Sequence, residues 1–483
     1  MPIGEQHEAS PSRRAHRSRR RRAGVVAIAV VAVLSLVATA CGSGRNDSSD
    51  NGGGGTATTQ AGGSSSSFGT MASPCGAAEG TNTAPAGQVG VTADSITIAY
   101  GDDAGYQQAP GLNKEMSDAV KAMIKWCNDQ GGINGRQVKG NYYDAKILDV
   151  NNAMTEACQG GNFFLVGQGW SLDSAQEETR LGCGLPSVPT YSVSPQFAHG
   201  KLMYQPTPNP VDKMSIPAAF QMAKAFPDDV KKSAVMYGNY AATQDSTEKW
   251  EIASKQAGWE YLDCPQVYAI AGESDWKPFV QKLKDCGAQV VYFSGSYYPN
   301  FENVLDAAAQ IGYNPKWMTE ANFYDAKFAD WNTSGNADNV YVRMAYFPFE
   351  EAGQVPAVQQ YMDIIQGDGG AISLLGMQAT AAFLLWAQAT QQCGNDVTRD
   401  CVLQKLSAIH EFDAGGMQAA ADPGANLPGT CGMTLKMNGN AYEQVFPETQ
   451  AEMECSQSFM VTLTGPVVDR AALDSNRIST AAG

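Results

Sequence analysis

What most constrains the fold of this chain is a change of texture at Ser95, after which short apolar runs alternate with segments of helical periodicity. The run "ITIAYG" is followed by "SDAVKAMIKWCNDQGG", where Val120, Met123, Ile124 and Cys127 share one helical face and Gly131 offers a stop. "FFLVGQG" reads as a short buried strand. "KSAVMYG" opens a second series, in which Trp276, Phe279, Val280 and Leu283 mark a helix before "AQVVYFSG", and Phe301, Val304, Leu305 and Ala308 mark the next helix. Such alternation predicts an α/β architecture of parallel sheets covered by helices on both faces. At 483 residues the chain exceeds one compact core, so two or more units are expected. "LLGMQATAAFLLWAQATQQCG" is too short and too polar for a membrane span and reads as a buried helix.

Seven arginines fall in the first 22 residues and precede the apolar stretch Ala23 to Ala40, the pattern of a secretory signal. An uncleaved anchor is the other reading of that stretch. "ATACGSG" places small residues before Cys41 and resembles the lipobox of bacterial lipoproteins, which implies cleavage before Cys41 and lipid on its sulfur, with Ala38 where leucine is commonest. Removing 1–40 leaves 26 basic against 47 acidic residues, a net charge of −21. Nucleic-acid binding, which needs a basic stripe, is thereby disfavoured.

Export gives the ten cysteines after Cys41 an oxidising compartment. Short separations favour Cys158 with Cys183, Cys264 with Cys286, Cys393 with Cys401, and Cys431 with Cys455, leaving Cys75 for Cys127; the alternative is several buried free thiols. Residues 41–92, with "NGGGG" and "GGSSSS", read as a lipidated cysteine followed by a flexible tether. A Gly/Ser coil from Cys41 to Cys75 reaches roughly 30 Å root-mean-square.

Catalytic signatures are missing. His7 and His16 leave with the signal, His199 and His410 are isolated, and no H-E-x-x-H, Walker loop, G-x-S-x-G elbow or C-x-x-C pair occurs in the folded region. No enzyme, cofactor or metal site is expected. Polar and aromatic residues instead follow the predicted strands, where open parallel sheets bind ligands. "GQGWSLDS", "PTYSVSPQ", "SGSYYPN" and "TEANFYD" supply Ser171, Tyr191, Ser192, Tyr297, Tyr298 and Glu320. Hydroxyls and a helix N-terminus at Ser171 suit a carboxylate, Glu320 suits an ammonium, and the tyrosines can enclose the remainder; each is equally an ordinary turn or cap residue.

"GVTADSITIAYG", "NDQGGINGRQVK", "YYDAK" and "VVYFSGSYYPNFENVLDAAAQIGY" together give the chain, from about Val91 to Leu463, a resemblance to the periplasmic binding proteins for leucine, isoleucine and valine and their relatives in ABC uptake systems. The resemblance implies a type I clamshell, two doubly wound parallel-sheet lobes joined by a three-crossing hinge. It places the crossings after "YQPTPNP", near "YFPFE" and close to Cys455. Lobe 1 is then 95–207 plus 350–451, lobe 2 is 208–349 plus 452–465, and 466–483 is a polar tail. By position, Ser171 matches the family serine on the ligand carboxylate, Tyr191, Ser192 and Val193 the next binding turn, Tyr297 or Tyr298 the second-lobe aromatic, and Glu320 the acid that meets the amino group. The chain departs from the pattern at Ala242 or Thr243, where the family has a tyrosine although Tyr240 is close, at bulky Tyr191, and in the loop of Asp102, Asp103 and Tyr106.

The implied function is an extracytoplasmic, lipid-anchored, monomeric binding protein. It passes a small polar solute, an amino acid or a related amide or amine, to an ABC permease and its ATPase at the outer face of the cell membrane. A ligand sensor acting on a signalling partner is the alternative.

Overall fold

The computed structural model describes residues 67–198, 201–295 and 298–465. Cys41, Tyr297, His199, the signal segment and the tail at 466–483 lie outside the described residues.

Two sheets carry the fold. The first has four parallel strands in the order Gln137–Asp144, Ser95–Asp102, Phe164–Val166, Ser187–Val188. Its chain order reverses beside Ser95–Asp102, so the crevice beyond Asp102 is a topological switch point. The second sheet runs Gln266–Tyr268, Ser233–Gly238, Val290–Ser294, Lys316–Thr319, Val340–Met344, all parallel. Its switch lies beside Ser233–Gly238. Burial accounts for the unbroken apolar runs: Val290, Val291, Tyr292 and Phe293 are all fully enclosed, as strands covered on both faces require.

Helix Lys114–Asp129 buries Met116, Val120, Met123 and Cys127 and ends before Gly131, whose φ of 106° only glycine adopts readily. It packs against Leu374–Gln391, a helix enclosed on almost every side. Among the described residues no helix is long and apolar enough to cross a membrane.

The second sheet departs from the expected division of the chain. Strands Cys431–Asn438 and Ala441–Phe446 add antiparallel to Val340–Met344, so 431–446 belongs to this sheet and not to the first lobe. Asn438 pairs with Ala441 across a two-residue turn that Gly439 enters at φ 59°, the conformation a tight hairpin demands. Cys431 pairs in register with Cys455 on Glu454–Cys455, and Met460–Thr462 pairs with Lys213–Ser215. The last passage between sheets therefore falls at 428–431, well before the position near Cys455 expected from sequence. The other two passages meet near Thr207, whose hydroxyl lies 2.8 Å from the Tyr346 hydroxyl, and at Gln418, whose Nε2 donates to the Pro206 carbonyl at 2.7 Å.

The start of the described chain is not a free tether. Ser67–Phe68 and Met71–Ala72 form a hairpin in which Phe68 is fully buried against Trp126. Gly69 donates its N–H to Gln360, and a Cβ there would meet the Gly415 carbonyl oxygen at 2.1 Å. Phe68, Cys75 and hydrogen bonds to Gln360 and Gly415 dock this segment, which its composition hid.

The five disulfides Cys75–Cys127, Cys158–Cys183, Cys264–Cys286, Cys393–Cys401 and Cys431–Cys455 are all formed. Each joins the end of one element to its neighbour.

Candidate functional site

A cavity of about 410 Å³ opens between the carboxyl ends of the two sheets, within the size range of small-molecule sites. Ser171, Tyr191, Ser192, Val193, Tyr240 and Glu320 all line it. Tyr106 does not; its hydroxyl donates to Gln108 at 2.8 Å outside the cavity. Tyr298 begins the helix Tyr298–Gln310.

The first-sheet wall is organised around two buried carboxylates. Asp103 follows the central strand and is fully buried. Its Oδ2 accepts from the Ser171 N–H at 2.8 Å and the Ser171 hydroxyl at 2.9 Å, and its Oδ1 accepts from the Ile147 N–H at 2.8 Å. Burial pushes the Asp103 carboxyl up, and these three donors oppose that rise. Asp173 accepts from the Val193 N–H at 2.8 Å and the Ser194 N–H at 3.0 Å, and burial raises it to about 7. Ser192 donates its hydroxyl to Gln205 at 2.5 Å.

The donors read from sequence as a ligand-carboxylate site are thus occupied from within the chain. Ser171 also does not head a long helix, since Asp173–Gln176 is a 3-10 turn and Glu177–Gly182 a single short helix. What this wall presents to the cavity is the Tyr191 hydroxyl, which takes a hydrogen bond from Asn113 Nδ2 at 3.3 Å. Burial and the charges of Asp103 and Asp173 hold that phenol well above its ordinary value, so it stays a neutral donor and acceptor.

The opposite wall is built on the second sheet. Thr319 pairs with Val342, so Glu320 and Arg343 stand side by side at the strand ends. Glu320 Oε1 accepts from Arg343 Nη2 at 3.1 Å, from the Tyr292 hydroxyl at 2.6 Å and from the Ser246 hydroxyl. Burial raises the Glu320 carboxyl, but Arg343 and the two hydroxyls outweigh it and hold it below its ordinary value. Tyr292 stacks on Trp250 at 4.7 Å with the planes 7° apart, and the Arg343 guanidinium lies over the same indole at 5.9 Å. Glu320 is therefore the counter-ion of a protein cation, whereas the sequence reading set it against a ligand ammonium.

Beside this group sits Lys249, 6% exposed, donating to Asn209 Oδ1 at 2.6 Å and to the Pro210 carbonyl at 2.8 Å. Burial lowers its ammonium to about 8, with Arg343 adding to the drop and Glu320 and Asp245 opposing it. Sequence reasoning passed over Lys249 and Arg343. The signal for Arg343 was present, a lone charge inside the apolar strand "VYVRM". Across the mouth, Glu115 of the first-sheet helix Lys114–Asp129 meets Lys327 of the second-sheet helix Ala326–Trp331 at 3.5 Å.

The lining holds no histidine, and its one cysteine, Cys431, is in a disulfide. No group of three or more potential metal ligands occurs among the described residues. The arrangement is a cleft with two chemically unlike walls.

The fold and its cleft define a type I two-lobed binding protein. The sequence profile described as "Periplasmic binding protein" matches residues 96–441. The chain belongs to the periplasmic binding protein family, as the resemblance in its sequence implied. It is 29% identical over 241 residues to the leucine-, isoleucine-, valine-, threonine- and alanine-binding protein of Pseudomonas aeruginosa, a match spanning 47% of this chain and 61% of that protein.

Among solved structures, the fatty acid ABC transporter substrate-binding protein of Thermomonospora curvata superposes with a TM-score of 0.64 at 13% identity, covering 80% of this chain and 97% of that one. The branched-chain amino acid transporter substrate-binding protein of Streptococcus pneumoniae, in complex with isoleucine, gives 0.57 at 16% identity, covering 73% and 99%. These likenesses establish the fold.

Proposed function

We propose that this chain is an extracytoplasmic substrate-binding protein, tethered by lipid at Cys41, that captures one small organic solute between its lobes and delivers it to an ABC importer. The observation that carries the reading is the cleft itself. Its walls come from the carboxyl ends of two separate sheets, joined by three passages of chain, so a solute touching both walls does so only when they approach. A ligand with such differential affinity shifts the balance between separated and closed lobes. Ser171, Tyr191, Ser192, Val193, Tyr240 and Glu320 line the cavity, and we assign them to shaping it, with Tyr191 and Tyr240 in direct contact with solute.

The relatives support a carried cargo. One is named for aliphatic amino acids and another for fatty acids, so ligand class varies on this scaffold. The test is calorimetric titration of the exported chain with a panel of amino acids, amides, amines and organic acids. One-site binding without turnover of the solute is expected. Absence of binding across the panel, or chemical conversion of a bound member, would overturn the proposal.

A further inference from the structure

The unlike walls say which way a ligand lies, and this inference rests on the solute-binding reading above. On the first-sheet side the Ser171 N–H and hydroxyl and the Val193 and Ser194 N–H groups already serve Asp103 and Asp173. With those groups taken, the Tyr191 hydroxyl is the donor this wall still turns to the cavity, and it stands in front of two aspartates, a poor setting for a second carboxylate.

The second-sheet side has the opposite character. Arg343 is 31% exposed in the cavity and its hydrogen bond to Glu320 uses Nη2 alone. A guanidinium carries five N–H donors, and Arg343 Nε is buried with no partner among the described residues. Lys249 has three donors, two of them engaged by Asn209 and Pro210. Asp245, close by on the Lys249 helix, offsets part of that charge, and Asp325 is occupied as the cap of the helix Ala326–Trp331. The cavity is also lined by Val193, Met214, Ile216, Met344, Leu375 and Met433, six apolar side chains.

We infer that the cleft takes an aliphatic monocarboxylate with its acid group on Arg343 and Lys249 and its apolar body against the methionine-rich part of the lining, with no ammonium group required. This is the reverse of the orientation implied by sequence, with the acid on Ser171 and an amine on Glu320.

The test is titration of the exported chain with a matched set: leucine, 4-methylpentanoate, which lacks the ammonium, and 3-methylbutylamine, which lacks the carboxylate, together with octanoate. At least one of the two ammonium-free acids should bind tenfold or more tightly than leucine, and the amine should not bind. The paired substitution Arg343→Gln with Glu320→Gln, which removes both charges and strands neither, should weaken the acid about 10- to 100-fold. Tyr106→Phe, outside the cavity, should leave acid affinity within about threefold. Leucine or the amine binding tightly while both acids fail would overturn the inference and leave the solute-binding reading standing. So would full affinity in the paired variant. If nothing in the set or in the wider panel binds, both fall.

Discussion

Replacing Glu320 with glutamine separates a structural counter-ion from a ligand-binding acid. In the structure its carboxylate takes hydrogen bonds from Arg343, Tyr292 and Ser246, and the pair is 31% and 22% exposed. A hydrogen bond to a charged group contributes about 1.5–3 kcal/mol, and breaking a fully buried ion pair costs about 3–5 kcal/mol. Glutamine keeps one acceptor and the site is partly wet, so Glu320→Gln should cost about 2–3 kcal/mol, roughly 3 °C in Tm for a chain of this size. Much of that cost comes from leaving Arg343 beside Lys249 without its anion.

The sign with pH follows from the lowered carboxyl. Its stabilisation is present above about pH 4.5 and is lost as pH falls through the folded value, so the cost of the variant is full at pH 7 and shrinks in acid. Urea unfolding of wild type, Glu320→Gln, Arg343→Gln and the pair closes a double-mutant cycle, with an expected coupling of about 1–2 kcal/mol. A coupling under about 0.5 kcal/mol, or a cost independent of pH, would refute the counter-ion role.

Asp173 makes the opposite titration. Its carboxyl is raised from 3.8 to about 7, so its contribution is full below about pH 4 and is lost as pH rises through 7. Asp173→Asn should flatten the decline of thermal midpoint between pH 5 and 8, and a midpoint curve parallel to wild type would contradict this. Opening Cys75–Cys127, which closes a separation of 52 residues, with paired serines should lower stability by about 4 kcal/mol in chain-entropy terms; an unchanged urea midpoint would show the docked hairpin to be held without the disulfide, by Phe68 and the hydrogen bonds to Gln360 and Gly415. Trp250→Ala removes the ring on which Tyr292 stacks and should cost about 3–5 kcal/mol, read by the same unfolding curves, with under 1 kcal/mol as the contrary result.

Much of the scaffold was legible because burial on both faces writes itself as unbroken apolar runs, as at Val290 to Phe293. Four cysteine pairings were legible for a related reason, since short loops between neighbouring elements leave few partners in reach, and Cys75 with Cys127 was the pair they left. Less visible was the hairpin at 431–446. Its strand alternates Met433, Leu435 and Met437 inward, and Gly439 with Asn440 makes the turn, a signal present in the sequence and outweighed by assigning the segment to the other lobe.

The cavity lining was legible in part, and the hydrogen-bond partners of its side chains were not. Tyr191 and Glu320 do line the cavity. What each side chain can offer depends on which neighbour has already taken its hydrogen bonds. Glu320 is matched to Arg343 by the register of Thr319 on Val342, and Ser171 is matched to Asp103 by the switch-point crevice. Neither pairing is a local property of sequence.

The central claim is that solute is held between two lobes that close on it. Small-angle X-ray scattering of the exported chain, with and without a saturating ligand from the panel, tests it most directly. A smaller radius of gyration with ligand, restored when ligand is removed, is the predicted result. Saturating binding that leaves the scattering curve unchanged would contradict it.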